Sequence, residues 1–246
     1  ETTKQLDIGA DIGFLDNRIN LAYDFYEKWT TDMLYSFTIP QSSGFSTFTG
    51  NSGELKFWGH EIAVTSRNLV GTFKWNTNVN ITFGDNKVVS LAKNVDAIYA
   101  GGHITKVGQR IGLFWGLVHD GVYDNQSEYD ASAKAAQSAV GTVKFKDLGG
   151  PNGAAPDNQI LNTDTGGDRT VIGDPTPKFL FGITNTFSYR NFDLSVVASG
   201  SVGNDIANRY ESGTTNLDGP FNVLKEVKDR WRSEENPGSG KYGTTT

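Results

Sequence analysis

The sequence predicts an all-β fold: a segment of an antiparallel transmembrane β-barrel with long extracellular loops. Three observations carry that expectation. Six stretches alternate apolar and polar residues over unusual lengths, short turns alternate with very long connections, and aromatic residues gather near both ends of the stretches. Successive side chains of a strand point to opposite faces, so each stretch has one greasy and one hydrated side.

Residues 5–15 place Leu6, Ile8, Ala10, Ile12 and Phe14 on one parity, with Gln5, Asp7 and Asp11 on the other. Asp16-Asn17 is a turn dipeptide. Residues 18–29 return with Ile19, Leu21, Tyr23 and Phe25 against Asn20, Asp24 and Tyr26. A weaker strand over 58–66 sets Ile62 and Val64 against Glu61 and Thr65, and leads through 67–71 into 72–83, TFKWNTNVNITF. There Phe73, Trp75, Val79, Ile81 and Phe83, the residues expected to face the membrane, oppose Lys74, Asn76, Asn78, Asn80 and Thr82. Residues 178–189 alternate Phe179, Phe181, Ile183 and Phe187 with Gly182, Thr184, Thr186 and Ser188. After Arg190-Asn191, residues 192–201 set Leu194, Val196 and Ala198 against Asp193, Ser195 and Ser199.

The remaining segments, 30–57, 84–177 and 202–246, are read as long loops, all at the end opposite the short turns. Connections beyond about 12–15 residues are uncommon in compact soluble domains, whereas outer-membrane barrels pair short periplasmic turns with long extracellular loops. A strand of roughly 11 residues rising about 3.3 Å each, tilted near 45°, spans about 25 Å, the height of a barrel's apolar band. Phe14, Phe73, Tyr189 and Phe192 lie toward the turns, and Trp29, Trp58, Phe83 and Phe179 toward the loops, as two interfacial girdles require. Alternation alone favours a soluble sandwich, whose apolar face would be its core; strand length, loop asymmetry and the two girdles favour the barrel. The alternative is therefore a secreted β-domain that binds glycans through its loop aromatics.

Composition narrows the function classes. The 246 residues carry a formal net charge of −6 and no cysteine, which argues against nucleic-acid binding and removes disulfide frameworks, thiolate metal sites and thiol catalysis. No run of about 18 apolar residues occurs, which excludes a transmembrane helix but not a barrel. The first residues, ETTKQLDIGADIGF, lack the features of a signal peptide. Six strands are too few for an outer-membrane barrel, which starts at about eight, and open edges are not tolerated in lipid. Either further strands hide in the long loops or these residues are a segment of a longer chain.

No catalytic motif is present, and no enzyme is expected. His60, His103 and His119 lack ligand spacing. Asp7, Asp11 and Asp24 sit on the hydrated parity with nothing to select two of them as the acid pair of a glycan-cleaving enzyme. Phe114, Trp115 and Tyr123 in IGLFWGLVHDGVY are candidate substrate-binding aromatics, with a small loop core as the other reading. GPFNVLKEVKDRW reads as a short amphipathic helix with Pro220 at its start and Val223, Val227 and Trp231 on one stripe.

The stretches ETTKQLDIGADIGFLDNRINLAYDFYEKWTTDML, NSGELKFWGHEIAV, FKWNTNVNITFGDNKVVSL, GLFWGLVHDGVY, RTVIGDPTPKFLFGITNTFSYRNFDLSVVASGSVGNDIANRY and VKDRWRSEENPGSGKY together resemble the carboxy-terminal part of the SusC/RagA family. These are TonB-dependent outer-membrane transporters of Bacteroidota. The resemblance implies a 22-stranded barrel in a longer chain, with a plug domain and a TonB-engaging segment that are not among these residues. It also implies a SusD-like surface lipoprotein, an outer-membrane location and uptake of an oligosaccharide or peptide. No cofactor is required, although the family often has a compact calcium-type loop where this chain has KFKDLGGPNGAAPDNQILNTDTGGDR. Asp147, Asp157, Asp164 and Asp168 are the candidate calcium ligands, in a run lengthened by Pro151, Ala154, Ala155 and Pro156. Phe57 and Arg110 depart from the family's usual Asn and Pro.

Overall fold

The computed structural model describes residues 1–38, 44, 47–51, 53–150, 154–216 and 222–244. In chain order the strands are β1 (Thr2–Phe14), β2 (Ile19–Thr31), β3 (Leu34–Thr38), β4 (Thr47–Asn51), β5 (Glu54–Val70), β6 (Phe73–Ser90), β7 (Ala97–Ala100), β8 (His103–Lys106), β9 (Leu113–Gly116) and β10 (His119–Val122). Helix α1 (Gln126–Ala131) precedes β11 (Val143–Phe145), β12 (Thr170–Gly173), β13 (Phe179–Tyr189) and β14 (Phe192–Val202). Helix α2 (Arg209–Thr214) and a 3₁₀ turn (Lys225–Asp229) follow. None of the helices is long and apolar enough to cross a membrane.

The chain divides into two compact units, the first comprising Glu1–Ile98, Ile104–Leu113 and Asp174–Asp205. Its centre is a six-stranded sheet in the order β1-β2-β5-β6-β13-β14, antiparallel throughout. β5 and β6, at 17 and 18 residues, outrun the stretches 58–66 and 72–83 because the polar segments beyond the girdle also pair, with Leu55 opposite Val88 and Lys56 opposite Lys87. Alternation fades there, yet backbone hydrogen bonding continues.

At the short-turn end, Leu15, Asp16 and Asn17 all adopt positive φ, a conformation that Asn and Asp tolerate better than most residues. Two arginines tie this turn to the next one. Arg18 donates to the carbonyl of Asn68 at 2.8 Å, and Arg67 donates to that of Asn17 at 2.8 Å. The buried hydrophobic side chains of this unit among the described residues, Leu55, Val88, Ile104 and Leu113, all belong to its loop-end segments.

The long connections are not structureless. Within 30–57, β3 pairs with β4. Within 84–177 lie β7 to β12 and α1, and 202–246 contains α2 and the 3₁₀ turn. Pro220 of the expected amphipathic helix lies outside the described residues. In place of that helix, the 3₁₀ turn has no side-chain cap at Leu224 and ends in extended backbone at Arg230. Val227 alone of the expected stripe is fully buried.

The second unit comprises Tyr99–His103, Phe114–Gly173 and Ile206–Thr246. β9 pairs with β12 and β10 with β11. Gly141 has φ of +89° and lies against the Trp231 ring, where a Cβ would come within 2.4 Å; the Trp231 indole N–H donates to the Asp124 carbonyl at 3.0 Å. Helix α1 starts at Asn125, whose side chain accepts from the Glu128 N–H at 2.9 Å, and Glu128 reaches back to the Asp124 N–H at 3.0 Å. Lys144 of β11 pairs with Glu128. This ion pair holds the Glu128 carboxyl below its ordinary range and pushes the Lys144 ammonium above its own.

The Glu128–Lys144 contact therefore sets a pH window. A depressed carboxyl contributes stability above its unfolded value of about 4.3 and loses it as pH falls through the folded value. A raised ammonium contributes below its unfolded value of about 10.4 and loses it as pH rises through the folded value. Hydrogen exchange at the Asp124 and Glu128 amides, corrected for intrinsic rates, should report constant protection between about pH 5 and 10 and a loss below that range. Lys144→Met should lower the protection by up to about 1 kcal/mol and move the acid loss to higher pH.

Candidate functional site

The register of the sheet places all six apolar parities on one face. Ile12, Leu21 and Val64 lie in one cross-strand row, as do Ala10, Tyr23, Ile62, Ile81, Phe181 and Gly200. Phe73, Trp75, Val79, Ile81 and Phe83 fall within this face and Phe187 stacks on both Phe73 and Trp75, with ring centroids 6.2 and 5.8 Å apart. Among the described residues no second layer closes over the face: Ile8 is 59% exposed, Leu194 59% and Phe192 79%. A sandwich would bury these residues.

Polar groups on the apolar face bond to one another. Ser66 donates to Asn68, Asn68 to Thr77, and both Thr77 and the Trp75 indole to the Asn185 side-chain oxygen, over distances of 2.7 to 2.9 Å. Nearer the loop end, the Tyr23 hydroxyl and His60 Nδ1 are 2.8 Å apart. Such pairing is what a surface without water demands, because an unsatisfied donor or acceptor there costs several kcal/mol, on the order of 2–7.

The opposite face is hydrophilic. Asp7, Asp11, Asn20, Asp24, Glu61, Asn76, Asn78, Asn80, Thr184, Thr186 and Asp193 share it through the same register. Gly9, Gly59 and Gly182 leave room there for the side chains of Asp24, Tyr26 and Asn80. Asp24 and Glu61 stand directly opposite each other. Among the described residues neither has an ion-pair partner.

At the loop end, Arg110 ties β6 to the segment between β12 and β13. Its guanidinium grips both Asp85 oxygens at 2.7 and 3.0 Å and donates to Asp174 at 2.6 Å. A fork of five fixed donors suits this three-way contact, which a proline cannot make. Phe57 lies beneath the Lys28 ammonium, 4.8 Å from the ring centroid.

In the second unit the aromatic candidates separate. Tyr123 is 1% exposed, with its hydroxyl donated to the Ala133 carbonyl at 2.5 Å. It is a core residue, unable to stack on a substrate. Phe114 packs on His103 and Trp115 on Tyr99, both half-buried. The four candidate calcium ligands also diverge. Asp168 is fully buried and accepts from the N–H groups of Leu148, Gly149 and Leu161 at 2.7, 3.1 and 2.7 Å. Asp147 accepts from Asn158 N–H, Asp157 from Gln159 N–H, and Asp164 pairs with Arg169. Among the described residues no three acidic or histidine side chains converge as a metal site.

Comparison with known proteins decides what this wall belongs to. No protein-family model matches the chain. It is 36% identical over 219 residues to the TonB-dependent receptor P3 of Formosa agariphila, covering 85% of this chain and 21% of that protein. It is 29% identical over 228 residues to the TonB-dependent receptor SusC of Bacteroides thetaiotaomicron, covering 88% and 21%. The chain is a homologue of the TonB-dependent receptors. Its fold matches part of the RagAB peptide transporter with a TM-score of 0.78 at 19% identity, over 99% of this chain and 26% of that one. This receptor segment thus spans about a fifth of the length of these curated relatives and corresponds to a partial barrel wall.

Sequence reasoning did not find the loop-organising roles of two residues of this receptor segment, Arg110 and Asp168. The only signal for Arg110 was its departure from the family pattern, and Asp168 was singled out as a candidate calcium ligand rather than as an acceptor of backbone N–H groups. Because the buried Asp168 carboxylate accepts from three N–H groups, Asp168→Ala should destabilise residues 147–168 by roughly 1–3 kcal/mol. Asp168→Asn should do so by less, since one acceptor oxygen remains. Protection of the Leu148, Gly149 and Leu161 amides in the receptor, measured by hydrogen exchange, checks the order.

Proposed function

We propose that this chain forms part of the wall of an outer-membrane importer that takes up a nutrient, an oligosaccharide or a peptide, in a TonB-dependent cycle. The common register carries this reading: six strands share one exposed apolar face and one hydrated face. The apolar face meets lipid, with Phe73, Trp75, Val79, Ile81 and Phe83 in its band. The hydrated face, with Asp7, Asp11, Asp24, Glu61 and the Asn76–Asn78–Asn80 ladder, lines the lumen through which a polar solute passes. The relatives are named as receptors and a transporter, in keeping with a passage role rather than covalent chemistry.

The loop-bearing end faces the cell exterior. There a SusD-like lipoprotein, the partner that the family resemblance implies, closes over the substrate, and of the three candidate aromatics Phe114 and Trp115 remain to touch either one. The rival, a soluble glycan-binding β-domain, loses both a covered apolar face and one of its three stacking aromatics, Tyr123.

Val79 and Ile81 lie in mid-strand, opposite Val64 and Ile62 on one side and Ile183 and Phe181 on the other. Replacing each with Arg in the full-length receptor should cost about 2–4 kcal/mol at the bilayer midplane. The double variant should be lost from the outer-membrane fraction, whereas Asn80→Arg, on the hydrated parity, should insert normally. Equal insertion of the two would refute this assignment of faces.

A further inference from the structure

On the face assigned to lipid, the chemistry changes abruptly above the row Phe25–His60–Phe83. The next two cross-strand rows are Glu27–Trp58–Asp85 and Trp29–Lys56–Lys87. With Val88, Val89, Val107 and Gly108, these rows line a pocket of about 530 Å³ that includes Glu27, Trp29, Lys56, Trp58 and Lys87. A pocket this size is large enough for a small polar ligand, and it opens where the apolar band ends.

The pocket is built rather than merely lined. One Glu27 oxygen accepts from the Trp29 indole at 2.7 Å and the other pairs with Lys56 at 2.8 Å. The Lys56 ammonium is 4.7 Å from the Trp29 ring centroid and 5.6 Å from that of Trp58, both within cation–π range. Glu27 is thereby occupied by its neighbours. Asp85, the adjoining carboxylate, is spent on Arg110. Lys87 remains exposed, with no ion-pair partner among the described residues. Glu27, Lys56 and Lys87 leave one positive charge over, flanked by two indoles and bordered below by the apolar face.

That combination matches a phosphate-bearing lipid headgroup. We propose that this pocket holds the phosphorylated headgroup of a lipid in the surrounding outer leaflet, with Lys87 and the free Lys56 N–H groups on the phosphate. Trp29 and Trp58 lie against the headgroup, and the acyl chains run down past Phe83, Ile81 and Ile62. A transported solute is excluded as the occupant because the pocket lies on the parity opposite the lumen. Basic residues and indoles at a membrane–water boundary supply the two attractions such a ligand needs, charge and an amphipathic ring surface. The inference rests on the barrel reading above.

The test uses the full-length receptor, purified in detergent and titrated with monophosphoryl lipid A while bound lipid is counted by native mass spectrometry. Wild type and Lys87→Arg should retain one lipid, and Lys87→Glu should bind it about fivefold or more weakly, given what one basic residue contributes at a lipid surface. Equal binding by Lys87→Glu overturns the proposal. So does equal binding of the dephosphorylated lipid, or displacement by inorganic phosphate alone, which would leave a simple anion site. Failure of the barrel reading looks different: the receptor would fractionate as a soluble protein and need no detergent.

Discussion

Backbone pairing holds six strands in a common register, and the rest of the structure depends on that. Side chains alternate with a period of two, so a slip of one residue in any strand would carry its carboxylates and amides onto the apolar face. The cross-strand row from Ala10 through Tyr23, Ile62 and Ile81 to Phe181 shows how far the agreement extends. With the register fixed, one surface can meet hydrocarbon while the other stays hydrated. Six separate amphipathic ribbons become one wall.

The same constraint explains where polar groups sit on the apolar face. The Ser66–Asn68–Thr77–Asn185–Trp75 chain links β5, β6 and β13 through side chains alone. In water each bond would contribute little, because water competes for every partner. In a bilayer the unmade bond is the expensive alternative. At the loop end the face turns to charged residues and tryptophans, and Arg110 couples the upper part of β6 to the segment that leads into β13. The wall thus grades from hydrocarbon-like to interfacial within the length of its strands.

How much of this was legible in the sequence follows from the range of the interactions. TFKWNTNVNITF and its partners announce their strands because alternation is local, and the faces followed once a register was assumed. The loops hid their structure because their strands are three to five residues long, as in β9 and β11, and gain partners from distant positions. Lys134, for instance, bridges to Gln159. The same limit applies to the loop candidates. Tyr123 looks like a surface aromatic until Ala133 and Tyr129 are seen against it, and Asp168 looks like a metal ligand until three backbone N–H groups claim it. Residue type showed that these positions mattered, but only the folded neighbourhood shows how.

The central claim is that odd and even positions of residues 72–83 face different solvents. This chain has no cysteine of its own, so single cysteines can be placed one at a time from Phe73 to Phe83 in an otherwise cysteine-free receptor and probed in intact outer membranes. The account predicts that a water-soluble maleimide labels positions 74, 76, 78, 80 and 82, while positions 75, 79 and 81 react only with a lipid-soluble reagent. Uniform labelling by the water-soluble reagent, or labelling on the reverse parity, would contradict it.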